Sequence, residues 1–360
     1  MSTIRKLNIS AIRNILQTSL QLSPNINLFY GENGSGKTSI LESIHLLASG
    51  RSFRTSKTDT LINNDETTSV VFAELTKGHQ IGLSRTRRQG HQLNMDNEKQ
   101  RNWDKVAREL PVQILDANSF VLVEGGPKAR RRFLDWGVFH VEPLFVENWR
   151  KSRKSIANRN FLLKQAGVDS DQLGVWDLEL CLAAREVDQA RSRYFEQFLP
   201  IFEQVFRSLA APIGDQLSLT YSRGWDSDRD LAEILVENQQ IDHKYGATQS
   251  GPHRADIVIR AGNRLAIETL SRGQQKTLVS ALKIAQGMLL TQTLDRHCIY
   301  LVDDLPAELD RGNREKVLSQ LVGLGGQLFV SCVDREALQL GLPNSPEVAT
   351  FHVECGTITA

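Results

Sequence analysis

The sequence predicts an α/β fold: a P-loop head with an inserted, mainly helical lobe. Three observations predict it. Gly31-Glu32-Asn33-Gly34-Ser35-Gly36-Lys37-Thr38-Ser39 fits G-x-x-x-x-G-K-[ST], with apolar Ile26, Leu28 and Phe29 before it. A helical pattern of Ile40, Leu41, Ile44, Leu47 and Ala48 follows, so the loop stands between a strand and a helix N-terminus. Far downstream, Ile299-Tyr300-Leu301-Val302-Asp303-Asp304 reads as a buried strand ending in acids. Helical stretches, Val146 to Leu163 and Trp176 to Phe206, lie between the two.

Each element has its own warrant. Ile4 to Tyr30 and Val70 to Leu93 hold short alternating runs such as Ser69-Val70-Val71-Phe72-Ala73-Glu74-Leu75, the pattern of antiparallel strands and hairpins. The glycines at 31, 34 and 36 let backbone wrap a triphosphate without Cβ clashes. The first-turn N–H groups of the following helix lack intrahelical partners, and the helix dipole favours an anion there. Lys37 is expected to reach the β/γ-phosphates of ATP and Thr38 to bind Mg²⁺. At the acidic strand, Asp303 is expected to hold the metal and Asp304 to polarise the attacking water. Read alone, that pair is equally an acidic turn start. The P-loop strand and the Asp303 strand must then share a sheet, because their ends meet at the metal. Gly224-Trp225-Asp226-Ser227-Asp228-Arg229-Asp230 reads as an exposed turn.

Composition narrows the classes. At 360 residues the chain has room for one large domain or two modest ones. A net charge of +1 carries no general affinity for nucleic acid, so any basic surface is local. No run is long and apolar enough to span a bilayer, and Met1-Ser2-Thr3-Ile4-Arg5-Lys6 has no apolar export region behind it. Cys181, Cys298, Cys332 and Cys355 are widely spaced without C-x-x-C, as in a reducing cytoplasmic protein.

Leu270-Ser271-Arg272-Gly273-Gln274-Gln275-Lys276 opens a second helical pattern through Leu278, Ala281, Leu282, Ala285 and Leu289. It resembles the L-S-G-G-Q signature of ABC-type ATPases, with Arg272 for the first Gly; alone, it is also an ordinary Ser N-cap. The order P-loop, signature, acidic strand is that of ABC-type ATPases, and Glu308-Leu309-Asp310 stands where their D-loop would. A further strand, Leu328-Phe329-Val330, runs into Ser331-Cys332-Val333-Asp334 without the usual switch His. Asp304 also replaces the usual catalytic Glu, which points to slow hydrolysis. In this class the signature of one head completes the P-loop site of another, so Ser271, Gly273 and Gln274 are expected to contact ATP across a homodimer.

Five strings in order resemble the bacterial RecF family: Gly50-Arg51-Ser52-Phe53-Arg54-Thr55, the run Gly125 to Trp136, Gly251-Pro252-His253-Arg254-Ala255-Asp256, the signature, and Asp303-Asp304. The similarity runs from about Leu7 to the last strands. The resemblance implies an ATP-dependent DNA-binding dimer of recombinational repair with a weak, DNA-stimulated ATPase. It implies action at gaps and single/double-strand junctions, working with RecO and RecR to load RecA. Arg13 and Asn14 resemble the segment such ATPases place near the nucleotide. Arg51 and Arg54 stand where related chromosome-organising ATPases keep a DNA-sensing arginine. Other SMC-like heads acting as structural DNA clamps or scaffolds fit the same motifs. A kinase or nuclease built on this head would need an acidic constellation that the sequence does not show.

Local basic clusters supply DNA-binding candidates: Arg51, Arg54 and Lys57; Arg85, Arg87 and Arg88; Lys128, Arg130, Arg131 and Arg132; and Arg150, Lys151, Arg153, Lys154 and Arg159. Each is also readable as a solvated face, and Arg131 or Arg132 as a partner of Asp135 or Glu142. The expected nucleotide-binding lobe comprises 1–118 and 291–360, and the helical lobe carrying the signature 119–290.

Overall fold

A computed structural model describes residues 2–165, 170–210, 216–304, 310–334 and 348–360. The chain divides into two units, Met1–Ser119 with Arg272–Ala360, and Phe120–Ser271. The expected return to the first unit lay near residue 291, about 20 residues later. The helix Arg272–Leu294 belongs instead with the nucleotide-binding unit, where it buries Leu278, Leu282, Ala285 and Leu289. The buried Gln286 of this helix accepts a hydrogen bond from Gln113 (3.0 Å), tying it to the sheet of that unit.

The first unit holds two six-stranded sheets. One is antiparallel throughout. Its strands are β1 (Ile4–Ile12), β2 (Ile15–Gln21), β4 (Thr68–Leu75), β5 (Gln80–Thr86), β6 (Gly90–Met95) and β7 (Glu98–Gln100), in the order β2-β1-β4-β5-β6-β7. Alternation is clear in β4, where Val71, Ala73 and Leu75 point inward between more exposed neighbours. The other sheet contains β3 (Ile26–Tyr30), β8 (Val112–Leu115), β12 (Ile299–Val302), β13 (Leu328–Cys332), β14 (Val348–Glu354) and β15 (Thr357–Thr359). Its order is β15-β14-β3-β13-β12-β8, parallel except for the edge strand β15. Strands β12 and β13 are buried at every residue, as central parallel strands are. The P-loop strand β3 and the acidic strand β12 share this sheet, with β13 between them.

Helix α1 (Lys37–Ser49) presents Ile40, Leu41, Ile44 and Leu47 to a core shared with Leu7, Ile9, Val71 and Leu83 of the antiparallel sheet. Phe29, Phe329 and Phe351 of the parallel sheet join the same core, stacked at ring-centroid distances of 6.5 and 5.0 Å around Phe29. Trp103, just before the short helix α2 (Asp104–Glu109), donates to the Leu47 carbonyl at 3.0 Å and closes the far end of α1.

The second unit contains α3 (Val121–Glu124), α4 (Pro127–Val141), α5 (Phe145–Leu162) and the 40-residue α6 (Ser170–Leu209). A small antiparallel sheet in the order β11-β10-β9 joins them, made of β9 (Leu217–Ser222), β10 (Asp256–Ala261) and β11 (Arg264–Leu265). Tyr194, Phe198, Phe202 and Phe206 recur every fourth residue along α6 and stack in series, each ring centroid 5.7 to 5.9 Å from the next. The fully buried Arg159 pairs with Asp242 (2.6 Å) and with Asp177, and donates to Thr248. The segment expected as an exposed turn at 224–230 is only partly so, because the Arg223 guanidinium lies 4.6 Å over the half-buried Trp225 ring.

Candidate nucleotide-binding site

The P-loop is held open by its glycines and by close neighbours. Gly31 has φ 148°, and a Cβ there would sit 2.1 Å from the Val353 carbonyl oxygen of β14, so backbone meets backbone. Gly36 has φ 123° and lies against the Asn14 side chain. Asn14 donates to the carbonyls of Ser35 (2.8 Å) and Gly34 (3.2 Å), and accepts from the Ser39 hydroxyl (3.3 Å). Gly36 stands at the N-cap of α1 without a side-chain cap, and the first turn has no acidic residue. These N–H groups are therefore left to an anionic ligand.

The buried Lys37 turns its ammonium back on the loop and donates to the carbonyls of Gly31 (2.7 Å) and Glu32 (2.8 Å). Burial lowers its pKa, while Asp304, Cys332 and Asp303 oppose that shift. A phosphate would replace two neutral carbonyls with a charged partner, a stronger acceptor for the same donor.

Thr38 and Asp303, 265 residues apart, meet directly: the Thr38 hydroxyl donates to Asp303 Oδ1 at 2.9 Å. Asp303 follows β12, and its N–H donates to the Leu115 carbonyl of β8 at 2.9 Å, which fixes where the carboxylate points. Burial raises the Asp303 pKa, and the bonds from Ser331 and Thr38 partly counter this. Arg54 is also near enough for its charge to favour the ionised carboxylate. Ser331 carries no motif in the sequence. Fully buried on β13, it donates to Asp303 Oδ1 (2.7 Å) and accepts from the Asp304 N–H (2.9 Å). Asp304 itself has φ 51°. The signal for Ser331 was its position where β13 leaves the sheet beside β12, legible only once the strand order is known. Cys332 follows it, with a thiol pushed up to about 11 by burial, so it is not a reactive thiolate at neutral pH.

Ser271 and Gly273 are exposed, and Ser271 immediately precedes the helix Arg272–Leu294. Gln274 is half-buried in its first turn. Of the expected D-loop, Asp310 caps the helix Arg311–Gly323 through the Asn313 N–H (2.9 Å), while Glu308 and Leu309 lie outside the described residues.

Several of the basic residues singled out in the sequence have partners within the chain. Arg130 forms a two-pronged pair with Asp256 (2.8 and 2.9 Å) and donates to the Gly125 carbonyl. Arg131 donates to the Ala255 carbonyl at 2.7 Å. Both guanidiniums tie α4 to the start of β10, Arg130 at Asp256 and Arg131 at the residue before it. Arg131 and Arg132 do not take Asp135 or Glu142, whose ion pairs are with Arg191 and Arg193. Arg159 is buried, and Arg87 is spent on four backbone carbonyls of residues 59–66. Arg13, expected at the nucleotide, pairs with the buried Glu42 of α1 through two bonds of 2.8 and 3.0 Å. Arg51, Arg54, Lys57 and Lys128 remain exposed and make no ion pair among the described residues.

A family model described as the RecF/RecN/SMC N terminal domain matches residues 3–357. The chain is 44% identical over 361 residues to the DNA replication and repair protein RecF of Pseudomonas entomophila strain L48, covering 99% of this chain and 98% of the relative. The RecF of Pseudomonas syringae pv. tomato strain DC3000 is 43% identical over the same extent. Among solved structures, the recombination mediator protein RecF with ATP matches with a TM-score of 0.87 at 23% identity, covering 99% of this chain and 97% of that one. An Smc head domain from Pyrococcus furiosus, bound to the C-terminal domain of ScpA, matches at TM-score 0.59 and 14% identity, covering 99% and 95%. These two likenesses bear on the fold alone.

Proposed function

The chain belongs to the RecF family of DNA replication and repair proteins, and from that premise we propose that it is an ATP- and DNA-binding protein of recombinational repair with a slow ATPase. The observation that carries the nucleotide reading is the Thr38–Asp303 contact at the mouth of an uncapped, glycine-lined P-loop. The donor set suits Mg²⁺: a hydroxyl and a carboxylate held together, with Asp303 oriented by Ser331. The ion would supply charge neutralisation at the phosphates when bound. Lys37 leaves its two carbonyls for phosphate oxygens, and the free first-turn N–H groups of α1 bind the anion. Asp304, next to the metal-site carboxylate, orients the attacking water. Asp at this place is shorter than Glu, in keeping with slow turnover.

In this reading Ser271 and Gly273 complete the P-loop site of a second copy in an ATP-dependent C₂ homodimer, and their exposure supports it. ATP then supplies the differential contact that favours the closed pair, and hydrolysis releases it. DNA gaps and single/double-strand junctions are the proposed substrates, with RecO and RecR as partners in loading RecA; one structural relative is described as acting in a RecFOR pathway. No helix among the described residues is long and apolar enough to cross a membrane, and a cytoplasmic site of action is proposed. The test is ATP hydrolysis with and without gapped DNA, over a range of salt. The proposal predicts DNA-stimulated hydrolysis with a salt-dependent stimulation, and loss of hydrolysis in Lys37→Met. A Lys37→Met protein that still hydrolysed ATP would remove the nucleotide assignment.

A further inference from the structure

Glu42 is the least expected residue in the core of the nucleotide-binding unit. It lies on α1, one turn beyond Thr38, and is fully buried. A buried carboxylate costs several kcal/mol unless it is paired and hydrogen-bonded. Its partners come from two directions. Arg13 approaches with two bonds, and the Ser52 hydroxyl donates to the same carboxylate. An apolar side chain would serve the core at less cost, so the function of Glu42 lies in what it connects.

On one side it connects to the P-loop. Arg13 is held at φ 53°; its N–H donates to the Leu61 carbonyl (2.7 Å), and its own carbonyl accepts from Asn63 (2.6 Å). The next residue, Asn14, bonds to Gly34, Ser35 and Ser39 of the P-loop. On the other side it connects to the loop 50–57. The Ser52 hydroxyl accepts from the N–H groups of Arg54 (2.9 Å) and Thr55 (3.0 Å), so the loop is folded around it. Two more α1 side chains fasten the loop's start: His45 Nδ1 and Ser49 Oγ both bond to the Arg51 carbonyl (2.7 and 3.3 Å). The loop carries three exposed cations, Arg51, Arg54 and Lys57, without an ion pair among the described residues. Arg54 also lies within electrostatic reach of Asp303.

We propose that Glu42 is a positioning residue that joins this cationic loop to the P-loop, so that DNA phosphates held by Arg51, Arg54 and Lys57 are felt at the nucleotide through Ser52, Glu42, Arg13 and Asn14. This rests on the reading of the P-loop as an ATP site and of DNA as its activator. The connection is continuous within one unit: hydrogen bonds join Ser52 to Glu42, Glu42 to Arg13 and Asn14 to the P-loop, and the peptide bond joins Arg13 to Asn14. Moving the loop strains the Ser52–Glu42 bond, and the Arg13 guanidinium, sharing that carboxylate, must respond.

The test uses the full chain and the half-exposed end of the relay. Ser52→Ala deletes the hydroxyl without leaving Glu42 unpaired, since Arg13 remains. Ser52→Thr keeps the hydroxyl. For each, nucleotide affinity is measured by direct binding, and kcat and KM for ATP with and without gapped DNA. Ser52→Ala is expected to keep its nucleotide affinity and DNA-free kcat within about twofold of the parent, but to lose about fivefold or more of the DNA-stimulated increment in kcat. Ser52→Thr is expected to restore it. DNA stimulation in Ser52→Ala equal to that of the parent overturns the relay, as does a loss that Ser52→Thr fails to rescue. A parent chain that binds no nucleotide, or binds it without any DNA effect, overturns the functional reading and the relay together, and the binding measurement identifies which. Because a general loss of packing would move affinity and DNA-free kcat too, the selective loss separates positioning from structural damage.

Discussion

Ser331→Ala removes one hydroxyl from the centre of the acidic site, and its consequence can be worked from the geometry. The hydroxyl makes two part-buried bonds, donating to Asp303 Oδ1 at 2.7 Å and accepting from the Asp304 N–H at 2.9 Å. The first is to a charged acceptor, a class worth about 1.5–3 kcal/mol; the second leaves a part-buried N–H without its partner, at about 1 kcal/mol. The expected loss of stability is therefore about 2.5–4 kcal/mol at pH 8. The loss should also depend on pH. Burial already raises the folded-state pKa of Asp303, so the folded protein holds this proton more tightly than the unfolded chain does. Stability attributable to this group is thus greatest at low pH and falls as pH rises from the ordinary carboxylate value through the folded one. Ser331 favours the ionised form and limits that fall. Removing it raises the folded pKa further, so the deficit of Ser331→Ala is larger at pH 8 than at pH 5. Equilibrium urea unfolding of both proteins at the two pH values measures this. An identical deficit at both, or none, refutes the assigned role of Ser331 in holding an ionised Asp303.

Three other outcomes are expected. Gly31→Ala places a methyl 2.1 Å from a β14 carbonyl at φ 148°, so the P-loop must shift, and ATP affinity in direct binding should fall by at least about tenfold, a 1.4 kcal/mol effect. Lys283, half-buried on the helix Arg272–Leu294 with a pKa lowered to about 8 by burial, binds fewer protons folded than unfolded between about pH 8 and its ordinary value. Stability therefore rises with pH across that window, and Lys283→Met should stabilise by about 1–3 kcal/mol at pH 7 and by less at pH 10 in paired melting curves. Arg159→Met leaves Asp177 and Asp242 without their buried cation and should destabilise the second unit by about 3–5 kcal/mol, read as earlier hydrogen exchange in α5 and α6.

The fold was legible where local pattern and chemistry coincide. The P-loop announced β3 and α1 together, and the run Ile299 to Asp304 announced β12, because a buried parallel strand must be apolar along its length. The need for Thr38 and Asp303 to meet at one metal placed both strands in one sheet, and their 2.9 Å contact agrees with that inference. What stayed hidden depends on long-range placement. Ser331 is an ordinary serine until β13 is known to lie between β3 and β12. Arg130 and Arg131 looked like solvated cations because Asp256 and the Ala255 carbonyl lie 124 to 126 residues away. The Arg13–Glu42 pair was hidden because nothing in the sequence marks Glu42 as buried within an otherwise plausible helix surface. The second-unit boundary was set too late because the signature serine and its helix read as one element. Packing against the parallel sheet assigns the helix from Arg272 onward to the first unit.

The central claim is that one chain carries half of each of two ATP sites. Mass measurement in solution, with Mg²⁺-ATP and without nucleotide, tests it most directly. A monomer that doubles its mass with Mg²⁺-ATP is expected, with no doubling in either Lys37→Met or Ser271→Ala. A parent protein that binds ATP yet keeps one mass, or a Ser271→Ala protein that dimerises like the parent, contradicts it.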